Sequence, residues 1–474
     1  MQKRNKKKSA SILVNLLLVC LSLSPLVILE LYLRTSDYGY EDKLFVLDRA
    51  AGEYVLNRQL YQKYFPTDPL VKNSRLPELL PEMSFAAQKG ENVFRVFCLG
   101  GSTTQGDFSD NRFPGLLSEM LVRSEVNRKI EVINLGITTF NSYQVADFIA
   151  ELVDYEPDLF IFYMGHNEIY GPLGVASSSQ ISSSYLLTRT VLFLQQLKLF
   201  QLLQNHYLKL LDIDTDEDRQ GVLFKVMATS SMEPFSPKKE KSLRNFANNL
   251  DRIIAQVHKR DVPLILTTIA SNIRDFRPFD SAVPEGSLAK EWQSLIDSAV
   301  ALKDKGNLQE AAETFLQAID LYPDNAQQYF DLGQVCMALK MYGVALESLT
   351  KAKDLDIIPF RAPSGINRII RQKAVESGLV ILDVEEIYKT KSDDGLIGKP
   401  IIIEHLHPSA YGHYLIAAGL VETIFKTGLL QPGEKIDFAD PLVRAEFNAA
   451  INSEDFDGSE MWPFTINNKD YRFP

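Results

Sequence analysis

The chain has 474 residues, 45% of them apolar and 23% charged, which excludes wholesale disorder and leaves room for two or more domains. A net charge of -11 and a pI near 5.2 exclude a nucleic-acid-binding surface, which needs clustered Lys and Arg. The one basic cluster is N-terminal: MQKRNKKKS precedes ASILVNLLLVCLSLSPLVIL, an uncharged run from Ala10 to Leu29. A helix over that run is ~30 Å long, enough to cross a bilayer core, and its basic flank predicts a cytoplasmic N-terminus. A cleaved signal peptide is the competing reading, but only Ser22-Leu23-Ser24 has the small-residue spacing for a cut, and Pro25 follows it directly. The expectation is a retained transmembrane anchor over residues 1–33, followed by a juxtamembrane segment, 34–90, that packs on the main domain.

Short apolar runs then alternate with amphipathic segments. FRVFCLG (94–100), IEVINLG (130–136), DLFIFYMG (158–165), VPLILTTIAS (262–271) and LVILDV (379–384) read as strands buried on both faces. The helical stretches between them predict βαβ units and a parallel sheet. Two interruptions break the rhythm. SSSYLLTRTVLFLQQLKLFQLLQNHYLKLL, ending at Leu211, reads as a core-packing helix pair, with a lid or membrane-surface element as the alternative. In the second, GNLQEAAETFLQAIDLYPDN (306–325) is echoed by MYGVALESLTKAKDLD (341–356). Ala311 and Ala345, Phe315 and Leu349, and Ala318 and Ala352 are each 34 residues apart, and Pro323 closes the first unit. That period resembles the tetratricopeptide repeat. Two repeats are fewer than a free-standing stack needs, so residues 291–357 are expected to lean on the host domain. They serve there as a spacer or as a groove for a protein partner.

Of the three cysteines, Cys98 and Cys336 read as buried thiols acting as small hydrophobes, and Cys20 lies in the anchor. The densest chemistry is EHLHPSAYGH (404–413), which holds three of the six histidines. Zinc needs three or four ligands, and no second cluster matches: His166 stands with Asn167 and Glu168, and His206 and His258 lie in helical contexts. No metal and no cofactor is therefore expected. Nucleophilic catalysis needs a hydroxyl at a strand end, a histidine base and a carboxylate. VFRVFCLGGSTTQG offers Ser102 directly after a strand. INLGITTFNS and FYMGHNEIYG add loops at the next two strand ends, where donors for a developing oxyanion would lie.

The ordered set GGST, NLG, GHNE and EHLHP resembles the four sequence blocks of the SGNH hydrolases, also called GDSL esterases and lipases. The likeness covers roughly 91–290 and 355–430. It implies a three-layer α/β/α, flavodoxin-like parallel sheet in two parts, 91–290 and 358–430, with the helical insert between them and a tail from 431 to 474. By the same resemblance Ser102 is the nucleophile, His407 its base, and the backbone of Ser102 and Gly136 with the Asn167 side chain form the oxyanion hole. Glu404 holds the place of the orienting carboxylate, where the family has Asp. Gly101 stands for the Asp of the GDS motif and Glu168 for the Asp of the third block, and neither is assigned a catalytic role. Membrane-anchored bacterial relatives with tetratricopeptide repeats share this plan. The implied function is an ester hydrolase on the outer side of the bacterial cytoplasmic (inner) membrane, acting on acyl or acetyl esters of envelope lipid or glycan. The alternatives are an O-acyltransferase on the same fold, or a catalytically degenerate, membrane-tethered interaction protein.

Overall fold

The computed structural model describes residues 2–64, 83–106, 112–177, 180, 182, 184–210, 231–451, 464–466 and 469–471. In chain order the elements begin with α1 (Gln2–Thr35), β1 (Phe45–Asp48), β2 (Glu53–Leu56), β3 (Ser84–Ala86) and β4 (Val93–Gly100). Then come α2 (Ser102–Gln105), α3 (Phe113–Arg123), β5 (Lys129–Gly136), α4 (Ser142–Leu152) and β6 (Leu159–Tyr163). A helix pair, α5 (Tyr185–Leu194) and α6 (Lys198–Leu210), precedes α7 (Pro237–Lys259) and β7 (Leu264–Thr267). Four helices follow: α8 (Gly286–Asp304), α9 (Leu308–Leu321), α10 (Ala326–Ala338) and α11 (Tyr342–Leu355). The chain continues through α12 (Ser364–Ser377), β8 (Val380–Leu382), α13 (Val384–Lys391), α14 (Ala410–Lys426) and α15 (Pro441–Ile451), and closes on the short hairpin β9 (Phe464–Ile466) and β10 (Lys469–Tyr471).

These elements fall into two compact units. One comprises Met1–Leu44, Asn57–Leu79 and Ile181–Glu217; the other comprises Phe45–Leu56, Leu80–Gln180 and Asp218–Pro474.

The second unit is built on a five-stranded sheet of order β5-β4-β6-β7-β8, with every pairing parallel. These are the five apolar runs of the sequence, and all five residues of β6 are buried. Neighbouring residues on β6 point to opposite faces. Tyr163 meets Phe113 of α3 with ring centroids 5.7 Å apart, while Phe162 meets Phe246 of α7 at 6.4 Å. Helices therefore cover both faces, giving three layers. Register matters for the site: Gly100 lies opposite Gly136 on one side and Tyr163 on the other. Three strands thus end level, and the loops that follow them converge.

Residues 45–56 and 84–86 form a second, antiparallel sheet of order β1-β2-β3. Its Phe85 packs against Phe97 (5.5 Å), Tyr155 (5.5 Å) and Phe45 (4.9 Å). The buried Arg95 donates to Ala86 O and Tyr155 O, both at 2.8 Å, and pairs with Glu131 at 2.5 Å. This clamp ties the small sheet to the large one.

The inserted helices α8–α11 stack as two antiparallel pairs. Their seam contains Ala299, Ala311, Phe315, Leu332, Cys336, Ala345 and Leu349, and Ile273 and Leu396 of the host domain join the same apolar cluster. The alanines mark close helix crossings. At Gly333 an added Cβ would sit 2.6 Å from Leu349 Cγ. The insert leans on the host as expected, with Gln334 Nε2 donating to Arg274 O at 2.6 Å. Of the tail, α15 is joined to the unit by Phe447, which packs on Tyr414 at 5.6 Å. Cys98 and Cys336 are buried free thiols.

In the first unit, α1 runs through the whole Ala10–Leu29 stretch. Many side chains of its N-terminal half lie outside the described residues, and among the described residues no helix is long and apolar enough to cross a membrane. The end of α1 is fixed to the α5–α6 corner. Glu30 accepts the N–H groups of Lys198 (3.1 Å) and Leu199 (2.7 Å), and Arg34 donates to Gln196 O at 2.9 Å. The core-packing pair expected up to Leu211 is two helices whose outer faces are apolar and exposed; Leu211 itself lies outside the described residues.

Candidate active site

β4 runs into Gly100-Gly101 and delivers Ser102 to the first position of the short α2. Gly101 is required by close approach: a Cβ there would lie 2.8 Å from Asn167 Nδ2 and 3.2 Å from Phe140 O. A side chain at that position would displace the Asn167 amide from where it lies against Gly101.

The chain brings Ser102 and His407, 305 residues apart, into contact: Ser102 Oγ lies 2.8 Å from His407 Nε2. His407 Nδ1 in turn meets Glu404 Oε1. Glu404 is only 3% exposed. Its extra methylene lets the carboxylate fold back onto its own loop. Oε1 accepts His407 N–H and Oε2 accepts Leu406 N–H, both at 2.9 Å, and Oε2 also takes His405 N–H. Burial alone would raise the Glu404 pKa. The flanking His405 and His407 and the hydrogen bonds they donate outweigh it, holding the carboxyl well below the usual range. The group is a fixed anion aligned with the imidazole.

The three clustered histidines do different work. His405 sits among Phe276, Phe279 and Phe360, with centroids 5.3 to 6.1 Å away, and its ring also contacts Glu404. His413 stacks on Phe113 at 6.3 Å. Among the described residues, no group of three His, Cys, Asp or Glu side chains is arranged to hold a metal.

The donors around Ser102 are distributed differently from the sequence expectation. Asn167 is in place: its Nδ2 lies against Gly101 and uses one N–H on Phe140 O at 2.9 Å, leaving the second to point elsewhere. Gly136 is not free to serve, because its N–H already donates to Asn134 Oδ1 at 2.9 Å. Its lack of a side chain has a packing reason instead, since a Cβ would collide with the Gln105 backbone N at 2.0 Å.

Sequence reading missed Thr139. It lies beside Phe140, whose carbonyl borders the Ser102 turn, and holds a left-handed φ of 71°. A β-branched residue rarely adopts that conformation, and such strain gathers at functional sites. Among the described residues, Thr139 Oγ1 is buried without a hydrogen-bond partner. A glycine here would have signalled the turn; a threonine gives no cue.

Glu168 and His166 support this loop cluster. Glu168 accepts Ser142 N–H (2.9 Å) and Ser142 Oγ–H (2.6 Å) at the start of α4, and burial raises its pKa to about 7. Asn141 caps the same helix and donates to Pro172 O at 3.0 Å, tying the second loop to the third. His166 Nδ1 accepts Ala362 N–H at 3.2 Å, and burial lowers its pKa to about 3, so the ring is neutral.

Residues 300–340 match a family described as TPR repeat, within α8–α11. No curated protein matches the chain. Several solved structures are similar to it. An acetyl xylan esterase is 12% identical over 70% of this chain and 100% of its own, with a TM-score of 0.32. A GDSL-like lipase from Bacteroides thetaiotaomicron is 10% identical over 72% and 93%, with a TM-score of 0.31. The lipase/acylhydrolase from Enterococcus faecalis is 12% identical over 72% and 100%, with a TM-score of 0.30. These are proteins named as an esterase and lipases, and the TPR match lies in the inserted helices.

Proposed function

We propose that the protein is a serine-dependent ester hydrolase of SGNH type, carried by the contact of Ser102 Oγ with His407 Nε2 at 2.8 Å. Ser102 Oγ attacks the ester carbonyl while His407 Nε2 accepts its proton, and Glu404 stabilises the imidazolium through Nδ1. The oxyanion is met by Ser102 N–H and the second Asn167 amide N–H. His407 returns the proton to the departing alcohol, leaving an acyl group on Ser102. Water, deprotonated by His407, attacks that acyl carbonyl and releases the acid and free Ser102.

Acceptance of the acyl group by a sugar hydroxyl instead of water would make the same site an O-acyltransferase. A degenerate hydrolase, serving only as a tethered interaction protein, fits less well, because its Ser, His and carboxylate need not have stayed in contact. The match to the TPR repeat favours a protein-binding role for the insert in addition to catalysis.

The uncharged run Ala10–Leu29 and its basic flank support an anchor in the bacterial cytoplasmic membrane, with the catalytic unit outside and envelope lipid or glycan esters within reach. Hydrolysis of short-chain aryl esters tests the chemistry. Turnover is expected from wild type, with Ser102→Ala and His407→Ala reduced to background; wild-type turnover matched by Ser102→Ala would overturn the assignment.

A further inference from the structure

Helices α5 and α6 carry their apolar residues on the wrong side for a soluble hairpin. Thr188, Leu192, Gln195 and Gln201 are buried on the inner faces. The outer faces carry Leu186, Leu187 and Phe193 on α5 and Leu203, Tyr207 and Leu210 on α6, each between 51% and 76% exposed. Residues 203, 207 and 210 follow the i, i+4, i+7 spacing of one helical stripe. Six large apolar side chains this exposed on two consecutive helices exceed the single scattered residues that need no explanation.

Two further observations say what covers it. Glu30 and Arg34 bind the α5–α6 corner through Lys198, Leu199 and Gln196. At 1.5 Å per residue, that corner lies within ~8 Å of the end of the uncharged run at Leu29. It is therefore held where a membrane-spanning α1 would leave the bilayer. Charge agrees only in the absence of acid: in a chain of net charge -11, no Asp or Glu occurs between Glu168 and Asp212, while Lys198 is buried and donates Nζ to Tyr40 O at 2.6 Å.

We propose that α5 and α6 form an interfacial hairpin whose outer faces rest in the headgroup–acyl boundary of the bilayer that α1 enters. This rests on the anchor reading above. Interfacial helices bury an apolar face ~5–10 Å into that boundary and favour basic over acidic residues toward anionic lipid. The hairpin adds a second attachment beside α1 and fixes the rotation of the first unit against the membrane.

The test uses the full chain reconstituted in phosphatidylethanolamine–phosphatidylglycerol vesicles. A polarity-sensitive fluorophore is placed on Leu21→Cys, Phe193→Cys or Tyr207→Cys in a Cys20→Ser background; native Cys98 and Cys336 are buried. Leu186→Cys and Leu203→Cys repeat the reading if either hairpin substitution unfolds the chain. Labels at 193 and 207 are expected to shift to the blue, lose quenching by aqueous iodide, and gain quenching by shallow spin-labelled lipid. A label at 21 in lipid with both hairpin labels open to iodide would overturn the hairpin and leave the anchor standing. Hairpin labels shielded from iodide yet untouched by lipid quencher would show a protein partner or second copy there, and would also overturn it. A label at 21 open to iodide would overturn the anchor and, with it, the hairpin seated beside it.

Discussion

The geometry of Glu404 shows how a longer carboxylate fits beside His407 where the resemblance leads one to expect aspartate. The extra methylene is absorbed by turning back, so that the loop's own N–H groups fix the carboxylate. Glu404→Gln keeps the reach and loses the charge that steadies the imidazolium. Its kcat is expected to fall ~10²- to 10⁴-fold with KM nearly unchanged; wild-type kcat would show that Ser102 and His407 act as a dyad. Asn167→Ala removes one oxyanion donor, and kcat is expected to fall ~10²- to 10³-fold in steady-state assays, again with little change in KM. Ser102 and Asn167 were legible because their blocks follow strand ends, and His407 and Glu404 because EHLHP comes last in the same fixed order of blocks. Two features were not. The N–H of Gly136 is taken by a side chain two residues away, and no spacing announces that. Thr139 adopts a conformation that its residue type disfavours, so sequence points away from it.

Among elements, α4 illustrates how support for the site couples to pH. Its first residue, Ser142, is held by Glu168, whose pKa burial raises to about 7 from the ordinary 4.5. A carboxyl raised in the fold favours the folded state fully below its unfolded pKa, and that contribution is lost as pH rises through the folded value. Wild-type stability should therefore decline between pH ~4.5 and ~7 relative to Glu168→Gln, which does not titrate. Denaturant midpoints measured across that range check this; parallel curves would contradict it. The five parallel strands were readable as near-continuous apolar runs, and the repeat helices from alanines at a fixed period. The β1-β2-β3 sheet was not. Its strands are three or four residues long, with FVLD largely exposed, and β3 joins β2 from far along the chain. Short strands of that kind carry no alternation to read, and their burial depends on Arg95 and Phe97 of β4, which reach Ala86 O and Phe85.

Over the whole molecule, an insert of two repeats, a split α/β domain and an N-terminal helix are assembled without disturbing the convergence of three strand ends at Gly100, Gly136 and Tyr163. The insert enters after β7 and leaves before α12, and the neutral His166 ring accepts an N–H from Ala362 in its exit segment. The repeats themselves supply none of the groups placed at the candidate site. The central claim is that Ser102 is a nucleophile activated by His407. Mass spectrometry of the full chain after exposure to a fluorophosphonate measures this most directly. One adduct is expected, on the peptide bearing Ser102, absent in Ser102→Ala and strongly slowed in His407→Ala. Labelling elsewhere, or none on wild type that hydrolyses esters, would contradict it.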